Sequence, residues 1–247
     1  LLQERVPWEV PIEKGRIDES WEAHEKAPPV RIPPPWVPSK ETIAPQMHLL
    51  GNGHMSSMTS SAGGGGLVWN GNMLTRWRPD PTRDCHGVWL YVQDADASGL
   101  WSVGYLPTHQ DGEDSKVVFH QHMTETFRRD RNIATRQELT VAPFDNVEIR
   151  RITLINERDT PADIKVTTYG EVVLEPARDD ERHPAFSKLF VGSSYVAERD
   201  ALLFERRPRR PEAEAPVLLH ALVAEDPDVT LAGYETDRNR FIGRGRS

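Results

Sequence analysis

A chain of 247 residues with 37% hydrophobic residues and a formal net charge of −8 has the length of one large β domain or two small ones. Its acidic balance gives nucleic-acid binding no global electrostatic support, and no apolar run approaches the roughly 20 residues that span a bilayer. One cysteine, Cys85, excludes an internal disulfide framework and fits a reducing compartment, so a cytoplasmic location is expected. The opening Leu1-Leu2-Gln3-Glu4-Arg5 lacks the ordered basic and apolar regions of a secretory signal. The chain does not begin with Met and stops at Gly243-Arg244-Gly245-Arg246-Ser247, so a segment of a longer protein is expected.

Residues 1–45 read as a Pro-rich inter-domain linker. Pro7, Pro11, Pro28, Pro29, Pro33, Pro34, Pro35, Pro38 and Pro45 forbid a long regular element and favour extended polyproline geometry. Trp8, Trp21 and Trp36 recur within it, which predicts a spacer laid against a folded surface. Residues 46–247 read as a β-sandwich module, truncated at its C-terminal end. The run Gly63-Gly64-Gly65-Gly66 lacks the Lys-Ser/Thr of a phosphate loop; a tight turn and a close backbone approach to a ligand both remain open.

Short strands are expected over 87–91 and 100–105, with 94–99 as their turn. Lys116–Arg128 and Ile133–Val141 read as a hairpin. Val147–Ile155 follows; Ile149, Ile152 and Leu154 can share a face there only if Arg150-Arg151 forms a bulge. Ile164, Val166 and Thr168 alternate in a strand expected to run on to Leu174. Later strands are expected over 190–196, 202–206 and 217–224, with Glu205–Pro216 as a charged, exposed loop. Many strands with turn signals and no long helix predict an all-β, antiparallel sandwich.

Chemistry concentrates in Leu67–Val92, LVWNGNMLTRWRPDPTRDCHGVWLYV. Trp69, Trp77 and Trp89 lie there among Arg76, Arg78, Asp80, Arg83 and Asp84. Aromatic faces meet the C–H faces of a pyranose, and charged forks hydrogen-bond its hydroxyls, so this composition points to sugar contact. Asp80, Asp84, Asp94, Asp96 and Glu171 are candidate acids for glycoside hydrolysis. Asp80 and Asp84 sit among arginines that would lower their pKa values, which suits ion pairs better than proton donation. His120 and His122 would share a face on a strand, but two imidazoles without a third ligand do not make a metal site. His183–Phe190 interrupts the β pattern with Pro184 and presents Phe186 and Lys188. It reads either as a loop packed by its aromatics or as the border of a surface shared with a neighbouring domain.

Several of these segments together resemble glycoside hydrolase family 94, formerly glycosyltransferase family 36. The resemblance rests on Met47–Gly53, the glycine run, Thr75–Asp84, His183–Phe190 and Tyr234–Arg246. It is nearest to the N-terminal module as it occurs in cyclic β-1,2-glucan synthases, and it covers almost the whole chain in order. It departs at Met55 and Leu67, where relatives often have tyrosine. The resemblance implies an antiparallel super-sandwich of galactose-mutarotase type, followed in the family by a helical linker and an (α/α)6 barrel that carries the catalytic acid and the phosphate site. The expected role is therefore a non-catalytic module of a β-glucan-processing enzyme, with a glycosyltransferase or phosphorylase as parent. It would support the sugar site of the barrel and bind β-1,2-glucan. Expected partners are a β-glucan or gluco-oligosaccharide, the following barrel and the preceding domain. No nucleic acid, membrane contact, metal or cofactor is expected for this segment; an inner-membrane association of the parent would come through other segments. The residues expected to touch sugar are Trp69, Arg76, Trp77, Arg78, Arg83 and Asp84. A purely structural inter-domain module is the alternative, and an autonomous mutarotase-like enzyme, needing a His and a Glu converging in a cleft, a more distant one.

Overall fold

The computed structural model describes residues 33–39, 44–78, 85–96, 98–208 and 215–243. The chain divides into two compact units, Leu1–Pro33 and Pro34–Ser247, and every described element belongs to the second. In chain order the strands begin with β1 (Met47–Gly51), β2 (Met55–Ser60), β3 (Gly65–Trp69) and β4 (Asn72–Thr75). There follow β5 (Trp89–Asp94), β6 (Gly99–Ser102), β7 (Asp114–Phe119), β8 (Thr124–Asp130), β9 (Ile133–Val141) and β10 (Glu148–Asn156). Next come β11 (Ile164–Tyr169), β12 (Val172–Pro176), and the short helices α1 (Ala177–Arg182) and α2 (Pro184–Ser187). The described part closes with β13 (Val191–Val196), β14 (Ala201–Arg206), β15 (Val217–Ala221) and a last helical turn, α3 (Arg238–Phe241).

Among the described residues all the strand pairings are antiparallel and build four sheets, in the orders β1-β2-β3-β4-β12, β10-β9-β8-β7, β11-β5-β6 and β13-β14-β15. Two apolar clusters hold them face to face. Leu90, Val92 and Trp101 of β5 and β6 meet Ile133 of β9 and Ile152 of β10, which joins the second sheet to the third. Met55, Leu67, Leu74 and Leu174 of the first sheet meet Val191, Phe204 and Leu218 of the fourth. Full burial of one such aliphatic side chain contributes about 1.5–3 kcal/mol. The expected antiparallel sandwich is therefore the fold.

Several elements differ from the sequence expectation, each for a local reason. Lys116–Arg128 is two strands, because His120–Met123 closes a turn in which the His120 N–H donates to the Met123 carbonyl at 2.9 Å. His120 and His122 consequently sit at a hairpin tip, rings 6.0 Å apart, and not on one strand face. β10 pairs with β9 in unbroken register from Glu148 to Asn156, so Arg150-Arg151 forms no bulge. Ile149 points away from Ile152 and is 49% exposed. The strand expected to reach Leu174 breaks at Gly170: β11 pairs with β5, whereas β12 joins β4 in another sheet. Gly65 and Gly66 lie inside β3 and not in a turn. A Cβ on Gly65 would stand 2.0 Å from the Met58 carbonyl oxygen, so glycine is what lets β2 and β3 approach. Arg206, which the expected strand 202–206 and the expected exposed loop 205–216 both include, is the buried end residue of β14.

Trp36 does lie against the folded surface: it exchanges two backbone hydrogen bonds with Phe119, both 2.8 Å, and its ring meets the Phe119 ring edge-on. Trp8 and Trp21 fall outside the described residues.

Candidate functional site

The site grows from the end of β4. Thr75 is the last paired residue, and Arg76-Trp77-Arg78 leave the sheet together. The Arg76 N–H donates to the Glu171 carbonyl at 2.7 Å, which ties this exit to the Gly170-Glu171 break between β11 and β12. The Arg76 guanidinium is buried and forks between two carboxylates. Nε donates to Asp180 Oδ2 at 2.9 Å and Nη2 to Asp180 Oδ1 at 2.6 Å, while Nη1 donates to Glu171 Oε2. A bidentate Arg–carboxylate pair fixes orientation as well as charge.

Glu171 gathers further cations. Lys188 Nζ lies 3.1 Å from Oε2, Arg238 Nε donates to Oε1 at 2.8 Å, and the Tyr169 hydroxyl reaches Oε1 at 3.4 Å. Phe241, one turn after Arg238, stacks flat on Tyr169 with ring centroids 5.0 Å apart. On the other side Arg78 Nη2 approaches Asp180 Oδ2 at 3.5 Å, and Arg78 Nε is buried with no hydrogen-bond partner among the described residues.

A second buried pair places Lys188. Arg206 Nη2 and the Ser187 hydroxyl both donate to Glu175 of β12, and Arg206 Nη1 donates to the Val173 and Ser187 carbonyls, each at 3.1 Å. Ser187 is thereby anchored against β12 and β14, and the next residue, Lys188, turns out toward Glu171. The guanidinium of Arg206 also lies 5.8 Å from the Phe190 ring centre. His183–Phe190 is thus a helical turn clamped to the sheets, which leaves Phe186 and Leu189 on the surface.

The electrostatics follow from this geometry. Burial alone would raise the Glu171 carboxyl, but Lys188 and Arg76 outweigh it and bring it down to about 2. Burial likewise opposes ionisation of Asp180, and the Arg76 hydrogen bonds and charge win, holding it below the usual range. Burial, with the Glu171 charge second, pushes the Tyr169 hydroxyl up to about 12. Burial chiefly keeps the half-buried His86 imidazole neutral, although it feels Glu171 and Asp180. A His and a Glu therefore do come near one another. A carboxylate titrating near 2 is a poor general base at neutral pH, however, and cannot hold a proton to donate.

Four of the six expected sugar-contact residues are described, and they differ in burial. Trp77 and Arg78 are half-buried at the exit of β4. Arg76 is buried and committed to its two carboxylates. Trp69 sits in β3 opposite Met55 and packs against the cluster of Met55, Leu67, Leu74 and Leu174. Arg83 and Asp84, like Asp80, lie outside the described residues. Trp89 is a core residue at 4% exposure. Of the other acids, Asp94 is fully buried and accepts from Arg158, and Asp96 accepts the Asp163 N–H at 3.1 Å. Met55 and Leu67, the two departures from tyrosine, both face the buried cluster. A cavity of about 20 Å³ lined by Thr59, Trp89, Val103, Gln137 and Arg150 has room for about one water, so no sugar enters there.

Sequence reasoning did not single out Asp180 or Arg238 as site residues. Asp180 lies in Arg178-Asp179-Asp180-Glu181, where three successive acids look like a solvated surface. Only the partner 104 positions away reveals it as the buried acceptor of Arg76.

The supersandwich domain model of glycosyl hydrolase family 94 matches residues 35–247. A cyclic beta-(1,2)-glucan synthase, NdvB of Rhizobium meliloti (strain 1021), is 31% identical across the whole chain, which spans 9% of that protein. N,N'-diacetylchitobiose phosphorylases of Vibrio proteolyticus and Vibrio furnissii are 25% and 26% identical over 81% and 62% of the chain. The chain spans 25% and 20% of their lengths.

Proposed function

The chain belongs to glycosyl hydrolase family 94 as a supersandwich domain, and from that premise we propose that it is a non-catalytic module of a larger β-glucan-processing protein. In this reading it supports the sugar site of a following (α/α)6 barrel and itself contacts β-1,2-linked glucan. The observation that carries it is the exit of β4, where one buried arginine anchors a segment that presents Trp77 and Arg78. Arg76 is the rigid support and spends its fork on Asp180 and Glu171. Trp77 offers a ring face for a pyranose, and Arg78 keeps donors for hydroxyls. Arg83 and Asp84 follow on the same segment and share the role, and Trp69 backs it from β3. The relatives' names support the substrate class: one is a glucan synthase and two are phosphorylases of a disaccharide.

The structural alternative has its own support, because Arg76, Asp180 and Glu171 form an internal ion network that needs no sugar to explain it. A calorimetric titration of the chain with β-1,2-linked gluco-oligosaccharides, with β-1,4 sugars as control, separates the two. Saturable heat confined to the β-1,2 series supports sugar contact. Absence of heat from a folded sample leaves the purely structural module.

A further inference from the structure

The same cluster carries more positive charge than its carboxylates neutralise. Among the described residues, Arg76, Arg78, Lys188 and Arg238 pair with Glu171 and Asp180, which leaves two cations in excess. The neighbouring Asp179 and Asp237 lie 4.0 Å from Arg178 and Arg240, so those acids have cations of their own. The excess stands against the chain as a whole, whose net charge is −8.

Donors are also left over. Arg78 spends one nitrogen on a 3.5 Å contact and keeps a buried Nε–H with no acceptor among the described residues. Arg238 spends Nε on Glu171 and a further contact on the Tyr169 hydroxyl out of five N–H groups, and Lys188 makes one contact with three. Their side chains are 31%, 39% and 45% exposed, reachable from solvent yet rooted in buried carboxylates. A buried N–H without an acceptor is costly, and an incoming oxyanion relieves that cost. Arg forks match the planar or tetrahedral oxygens of carboxylate and phosphate, and the rings of Phe241 and Tyr169 wall one side.

We propose that Arg78, Lys188 and Arg238 form an oxyanion-binding site for a phosphate-type group, either free or borne on a sugar. The site shares Arg78 with the neutral-sugar contact proposed above but does not depend on that reading. Arg76 positions it by holding Glu171 and Asp180; it does not itself touch the anion.

The test is a titration of the 247-residue chain with inorganic phosphate at constant ionic strength, read by calorimetry and by phosphorus NMR line width, with sodium chloride as control. Saturable binding above the chloride control is expected, weakened about tenfold by Arg78→Gln. The rim double variant Lys188→Gln/Arg238→Gln removes two exposed cations and serves as the check if Arg78→Gln loses its native circular dichroism. Glucose 6-phosphate binding more tightly than phosphate identifies a sugar-borne group; equal or weaker binding identifies the free anion. No saturation above chloride, or folded variants that bind like the parent chain, overturns the site. A neutral β-1,2-linked oligosaccharide in parallel keeps the two readings apart. Sugar heat without phosphate binding removes only the anion site, and phosphate binding without sugar heat removes only the sugar contact.

Discussion

Glu171 shows how one carboxylate can knit together segments distant in sequence. It accepts from Arg76, Lys188, Arg238 and Tyr169, so the exit of β4, the turn after α2 and the last helical turn all converge on two oxygens. Its folded pKa of about 2 lies below the ordinary 4.5, so the ionised form is the one the fold stabilises. That contribution is fully present above about pH 4.5 and is lost as pH falls toward 2; it amounts to something of order 3 kcal/mol. Glu171→Gln should therefore lower stability at pH 7 by about that amount and flatten the acid dependence in this window. Denaturant unfolding from pH 2 to 7 checks it, and an unchanged acid step in the variant would assign that step elsewhere. Asp180→Asn leaves the buried Arg76 fork half-satisfied and should cost about 3–5 kcal/mol in the same assay. A loss under 1 kcal/mol would mean that the fork is not sealed from solvent.

At the scale of elements, glycine and register decide what reaches the site. A Cβ on Gly66 would stand 2.8 Å from the Trp77 Cβ, so β3 and the β4 exit fit only without it. Gly66→Ala should shift the tryptophan fluorescence and cost about 1–3 kcal/mol through overpacking. An unaltered spectrum would place Trp77 away from β3. Register makes an equally sharp contrast in β10. Ile149→Ser should change stability by less than about 0.5 kcal/mol, whereas Ile152→Ala removes a core contact and should cost about 2 kcal/mol or more. Thermal melts of the pair check the register; equal losses would restore the bulge. Many strands were legible from alternation and turn residues, β5, β6, β9 and β13 through β15 among them. The misreadings came where local pattern is silent. His120–Met123 carries no glycine or proline to announce a turn, and Gly170 sends its strand to a different sheet for reasons of tertiary packing.

Across the whole molecule, two facing pairs of sheets bring the β4 exit, the β11–β12 break, α1 and α2 to one place. The arginine-tryptophan run was visible in the sequence because its composition is unusual. Its acidic counterpart was not: Glu171 stood out only as a candidate acid for hydrolysis and Asp180 not at all, because they lie 95 and 104 positions from Arg76. The tryptophans likewise could not be sorted by sequence: Trp89 and Trp101 are core, while Trp77 is half-buried at the site. Membership in glycosyl hydrolase family 94 sets the architecture, and the role of this module in its parent rests on what the β4 exit binds.

The measurement that reaches that claim most directly is calorimetric titration of the parent chain and Trp77→Ala, side by side, with β-1,2-linked gluco-oligosaccharides. The account predicts saturable binding to the parent chain and affinity about tenfold weaker in a variant of unchanged circular dichroism, as expected when an aromatic sugar platform is removed. Equal binding by the folded variant, or no binding by the folded parent chain, would contradict it.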